Sequence, residues 1–151
     1  MPELTPERRL AAFLAPYDPK IAARARMARR KLRALLPGAV ELAYDNYNAL
    51  VIGFGPSEKT SEAVISIALY PRWVTLFFLE GVRLSDPKRV LLGAGKQVRR
   101  LVIEGPETLE LPAVRALIAQ AWKRAGAPAA GGPKRRLIIK SVSAKQRPRR
   151  P

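Results

Sequence analysis

The sequence predicts an α+β fold: an antiparallel sheet of five or six strands, with N-terminal and C-terminal helices packed on one face. Three observations carry this. Apolar residues recur at helical spacing near residues 6–36 and again near 112–124. Between them the period changes to short runs rich in Val, Ile, Leu, Phe and Trp, bounded by turn residues. The links between those runs are short, which implies consecutive antiparallel hairpins and not parallel crossovers. Helices kept apart from such a sheet gather on one of its faces.

Each element has a local reason. Pro6 to Leu14 reads as a helix with Thr5 as N-cap and Pro6 at the first helical position, stopped by Pro16. Asp18 caps a second helix from Pro19 to Leu36, which ends before Pro37-Gly38. Ile21, Ala25, Ala28, Leu32 and Leu35 form its buried stripe, and Arg24, Arg26, Arg29, Arg30, Lys31 and Arg33 occupy the other faces. No carboxylate lies between Pro19 and Val40, so Arg26/Arg30 and Arg29/Arg33 are expected to repel at i,i+4, at roughly 0.2–0.5 kcal/mol each. The strands are Glu41 to Asp45, Ala49 to Phe54, Glu62 to Leu69, Trp73 to Glu80 and Val98 to Glu104. Ser85-Asp86-Pro87 is expected to open a short helical turn, and Gly93-Ala94-Gly95 to form a loop. The last helix covers Pro112 to Arg124, with Val114, Leu117, Ile118, Ala121 and Trp122 on one face.

Alternation assigns the faces of the sheet. Ile52, Phe54, Ile65, Ile67, Val74, Leu76, Phe78, Leu101 and Ile103 fall on the side that suits the helices. Val51, Gly53, Val64, Ser66, Trp73, Thr75, Phe77, Arg100 and Val102 fall on the other. Trp73 and Phe77 there, with Arg72 and Arg100 nearby, have the makings of a stacking platform for unpaired bases. The competing reading is that the chain's own tail or a second subunit covers them, because aromatics in strands are mostly core.

Composition excludes several chemistries. The chain has 151 residues, a formal net charge of +16, and neither His nor Cys. Disulfides, thiolate zinc sites, Cys nucleophiles, imidazole ligands and Ser-His relays are therefore ruled out. Ser57, Thr60 and Ser61 beside Glu58 and Lys59 read as a hydrophilic hairpin loop, and nothing else points to an enzyme. Glu3, Glu7, Arg8 and Arg9 interrupt the apolar stretch that a signal peptide needs, and no apolar run is long enough to span a bilayer. A cytoplasmic protein with no membrane partner is expected.

Charge is divided along the chain. Ala125 to Pro133 reads AGAPAAGGP and marks a boundary between a body, residues 1–125, and a basic Pro/Gly-linked C-terminal extension, residues 126–151. The extension holds Lys134, Arg135, Arg136, Lys140, Lys145, Arg147, Arg149 and Arg150 and no acid. Such runs bind phosphate backbones by releasing counterions, and ~5 contacts to duplex DNA would give a log-log salt slope of about −4.5. A solvated tail without a partner explains the same residues, as does an Arg-rich, GC-biased composition. Arg136 to Val142 has the pattern of a sixth strand able to cover the sheet.

Glu41-Leu42-Ala43-Tyr44 after a Pro-Gly turn, WVTLFFLEG at 73–81 and LSDPKRVLLGAGKQVRRLVIE at 84–104 occur together. In that combination the chain, over about residues 8–124, resembles the YdhG-like bacterial family, a domain of unknown function. The resemblance implies a frataxin-like topology and, through members described as iron chaperones, an iron role. Frataxin-type proteins gather carboxylates on the first long helix. Here that helix carries seven cations, which repel Fe²⁺. Glu107 with Glu110, or Asp45 with Glu41, would make one weak oxygen site, and no residue is assigned as a metal ligand and no cofactor is expected. Gly93-Ala94-Gly95-Lys96 lacks the spacing and the following Ser or Thr of a nucleotide-binding loop, leaving at most a cradle for one anion. Three functions follow as expectations. The first is a non-enzymatic domain binding nucleic acid or another polyanion through the tail cations together with Arg72, Arg100, Trp73 and Phe77. The others are a frataxin-like iron chaperone and a homodimeric structural module.

Overall fold

The fold is known from a computed structural model that describes residues 4–126 and 136–151. Helix α1 spans Pro6–Leu14, and the Thr5 hydroxyl caps it by accepting from the Arg8 N–H at 3.2 Å. Helix α2 spans Pro19–Leu35, where Asp18 Oδ1 accepts from the Lys20 N–H at 2.9 Å. Strands β1 (Val40–Asp45), β2 (Leu50–Gly55), β3 (Ile65–Leu69), β4 (Val74–Phe78) and β5 (Arg99–Ile103) follow, then α3 (Pro112–Arg124) and β6 (Leu137–Val142). The spatial order is β5-β4-β3-β2-β1-β6.

β1 to β5 form an antiparallel meander as expected, but β6 pairs with β1 in parallel, so the sheet is mixed. Chain direction explains this. Alternate strands reverse, so β5 runs the same way as β1. The intervening α3 turns the chain back before β6, which therefore runs with β1. The edge beyond β5 is already occupied in part by Leu92, which bridges Arg100 with backbone bonds of 2.7 and 2.9 Å. The composition boundary at Ala125 therefore does not mark the limit of the sheet.

α1 lies against β6, and α2 crosses β3 and β4. The helices cover the face the alternation selected: Ile52, Phe54, Ile65, Ile67, Val74, Leu76, Phe78 and Ile103 are essentially inaccessible. Truncating Phe54 or Phe78 to Ala would cost about 3–5 kcal/mol. Tyr17, in the link between α1 and α2, ties this layer to the sheet. Its hydroxyl donates to the Leu69 carbonyl at 2.9 Å and accepts from the Leu50 N–H at 3.0 Å. Burial raises the Tyr17 pKa above its ordinary value, because a phenolate has no water there.

Two local expectations change. Residues 85–87 do not start a helix. Asp86 instead accepts from the N–H groups of Val90 and Leu91, both at 3.0 Å, and holds a tight turn at whose end Arg89 has φ 52°. Glu62 to Val64 are not strand: Thr60–Glu62 form a 3₁₀ turn that brings Ala63 over Gly53 and Gly55, where an added Cβ would come within 3.7 and 3.0 Å of it.

Candidate polyanion interface

The face of the sheet away from the helices is divided in two. The loop through residues 56–64 lies over β2, as the approach of Ala63 to Gly53 shows. Among the described residues no helix or strand is assigned over the β3–β5 half. There Phe77 stands beside Ser66 on β3 and Arg100 on β5, and Thr75 stands between Ala68 and Val102. The small side chains Ser66, Ala68 and Thr75 are buried. Trp73 is 48% exposed, Val102 40%, and Phe77 is half-buried. At the β3–β4 turn Tyr70 and Trp73 meet with ring centroids 6.0 Å apart, and Arg72 between them is exposed. The arrangement is a shallow aromatic and basic strip, not a cavity.

The extension's cations are divided in their use. Lys134 and Arg135 lie outside the described residues. Arg136 donates to the Glu58 carboxylate and Lys140 Nζ donates to the Glu58 carbonyl, so both reach the loop over β2. Arg147 stacks 5.6 Å above the Tyr47 ring, and Arg150 Nε donates to the Pro16 carbonyl at 3.0 Å. Lys145 is exposed and has no partner among the described residues. Arg149 departs most from a phosphate-binding role. It is 6% exposed and donates to Asp45 Oδ1 at 2.9 Å and to the carbonyls of Asn46 and Tyr47. Its guanidinium also lies 5.6 Å over Tyr17. It holds the extension to the body and offers no donor to solvent; its Nε finds no acceptor among the described residues.

In each carboxylate pair suggested for a metal at least one member is met by cations. Glu41 is inaccessible and accepts from Arg29 Nε at 2.5 Å and Arg33 Nε at 2.7 Å. Asp45 holds Arg149. Glu110 pairs with Lys31 and Arg115, and the Lys31 hydrogen bond, with Arg115 beside it, lowers its pKa. No group of three or more acidic, His or Cys side chains positioned for a metal occurs among the described residues.

Of the two α2 arginine pairs expected to repel, Arg29/Arg33 is instead met by acids from other elements. Arg29 is bidentate to Glu7, at 2.9 and 2.7 Å, besides reaching Glu41, and Arg33 reaches both acids as well. The Arg29 hydrogen bond, joined by Arg33, holds the Glu7 carboxyl below its usual range. Burial disfavours charge on Arg29, but its bonds to Glu7 and Glu41 outweigh this and raise its pKa. Arg26 and Arg30 have no partner among the described residues. The loop at Gly93 is present, with φ 129° at Gly93. Arg99 Nη1 donates to the Gly95 carbonyl at 2.7 Å, and Lys96 stands exposed beside it.

Among the described residues no helix is long and apolar enough to cross a membrane. Compared with protein-family models, with curated proteins and with solved structures, the chain matches none.

Proposed function

We propose that the chain is a small non-enzymatic binding domain for a polyanion of the single-stranded nucleic-acid class, engaged on the helix-free half of the sheet. The observation that carries this reading is the exposure of Trp73 beside Arg72, on the strip it shares with Phe77 and Arg100. Stacking accepts any base, contributing roughly 1–3 kcal/mol per base, and the arginines attract the backbone. Scale favours a polymer over a small anion. Lys140 on β6 reaches the loop over the same face, four strand spacings from β4, or about 19 Å at the usual separation. A ligand touching both ends must be extended.

A fluorescent oligothymidine 20-mer, titrated at two salt concentrations, tests this. With about four phosphate contacts, the log-log salt slope for a single strand should be near −3. Trp73→Ala and Arg100→Ala should each weaken binding about tenfold. Equal affinity for the duplex, or indifference to both substitutions, would overturn the reading.

A further inference from the structure

On the opposite side of the sheet from the strip, a cleft of about 330 Å³ opens between α1 and α2. Its apolar lining is Leu10, Ala11 and Leu14 from α1, Ala25 from α2, and Ile52 from β2 below. One edge is a row of four arginines on α2, Arg26, Arg29, Arg30 and Arg33, at the i, i+3, i+4, i+7 spacing that aligns side chains along a helix. Glu7 is the single acid on the lining.

The four arginines are in two chemical states. Arg29 and Arg33 are held by Glu7 and the inaccessible Glu41, so their charge is met from within. Arg26 and Arg30 are exposed, four residues apart, and without a carboxylate among the described residues. Two adjacent guanidiniums with no counter-charge repel each other, and one anion between them would relieve that repulsion. The planar guanidinium fork favours carboxylate and phosphate oxygens. The volume lies at the small end of ligand sites, about 300–1,000 Å³, which pair an apolar lining with a few placed polar groups.

We propose that this cleft binds an amphiphilic organic anion, with a carboxylate or phosphate headgroup held by Arg26 and Arg30 and an apolar body against the exposed Ala11 and the aliphatic stems of the α2 arginines. A nucleic-acid backbone is a poor fit, because it offers a row of phosphates and no apolar chain for the floor. The site is separate from the Trp73 strip and does not depend on it.

Calorimetry on the full chain tests this with four probes below their micelle concentrations: decanoate, decyl phosphate, inorganic phosphate and decanol. At least one of the two alkyl anions should bind one to one, and which of them is tighter identifies the headgroup. Inorganic phosphate and decanol, each carrying half of the chemistry, should bind at least tenfold more weakly. The double substitution Arg26→Gln with Arg30→Gln should weaken the alkyl anion at least tenfold. Ala11→Trp, which fills the cleft from an exposed position without changing charge, should do the same. Trp73→Ala should leave it unchanged. Absence of alkyl-anion binding, or binding indifferent to both cleft variants, would overturn the proposal, as would loss of binding in Trp73→Ala.

Discussion

Arg149 donates a hydrogen bond of 2.9 Å to Asp45 from 104 positions further along the chain, and both side chains are almost wholly buried. A charge removed from water this completely depends on its partner, because neither can recover its hydration while the fold persists. Arg149→Met should therefore lower stability in urea denaturation by about 3–5 kcal/mol, since it leaves Asp45 buried and unpaired. Adding Asp45→Asn should restore part of that loss. A double variant no more stable than Arg149→Met alone would show that the arginine acts through packing on Tyr17 and not through the charge.

Tyr17 gives the protein an alkaline limit. Its pKa is raised by burial, so the folded state holds the phenol proton more tightly than the unfolded chain does. The stability this provides is complete below the ordinary value of about 10 and is lost as pH rises through the folded pKa. Loss of the proton also removes the donor to the Leu69 carbonyl. Tyr17→Phe should cost about 1–3 kcal/mol at neutral pH, by leaving two buried backbone groups unpaired. It should also flatten the pH dependence of stability above the ordinary phenol value of about 10. A Phe variant that retains the wild-type alkaline slope would assign that slope to another group.

Glu7 and Glu41 grip the same two arginines but should not be equivalent. The Glu41 side chain is inaccessible, whereas that of Glu7 is 55% exposed. Glu41→Gln should destabilise by about 3 kcal/mol, as for a broken buried pair, and Glu7→Gln by no more than about 1 kcal/mol. The lowered pKa of Glu7 gives the acid side its sign. Its contribution is present above the ordinary carboxylate value of about 4.3 and is lost as pH falls through the lower folded value. Thermal melts of the wild type and Glu7→Gln should therefore draw together as pH falls below the ordinary carboxylate value and through the lower folded one.

The two tryptophans offer an optical check on the sheet face. Trp73 is 48% exposed and Trp122, on α3, is 7% exposed. Acrylamide should quench a large part of the fluorescence, and Trp73→Phe should leave a nearly unquenchable remainder. Oligothymidine should quench that same Trp73 component. If the component resists acrylamide in the free protein, the strip is covered in solution, as a homodimer would cover it.

Local chemistry made much of the fold legible in the sequence. Thr5 and Asp18 announce their caps, and period-2 alternation placed Ile52, Ile67, Leu76 and Ile103 on the core face, because a misplaced strand would turn all of them outward. The parallel docking of β6 was not legible. A sixth strand could be read at Arg136 to Val142, but its partner depends on chain direction over the whole sheet and on which edge is free. The arginines of α2 misled for a related reason. Their counter-charges, Glu7 and Glu41, come from other elements, so inspection within the helix finds only repulsion. Arg149 looked like the rest of its basic run, and only the placement of Asp45 and Tyr17 distinguishes it. The i, i+3, i+4, i+7 row of Arg26, Arg29, Arg30 and Arg33 was visible throughout, but a row becomes a cleft edge only once α1 packs beside it.

The position of β6 also sets an order of assembly. β1 acquires its outer neighbour only when residues 137–142 have been synthesised, after every other element of the domain. Until then a growing chain presents β1 as an open sheet edge, with the backbone groups that attract another strand. Its inward-facing Asp45 lacks its counter-charge over the same interval, and an inward-pointing charge is one of the devices by which natural sheets discourage edge-to-edge pairing. Arrival of Arg149 neutralises that charge at the moment the edge is covered. Before β6 docks it is thus the unpaired Asp45, not the ion pair, that stands at the open edge, and its counter-charge comes with the segment that covers that edge.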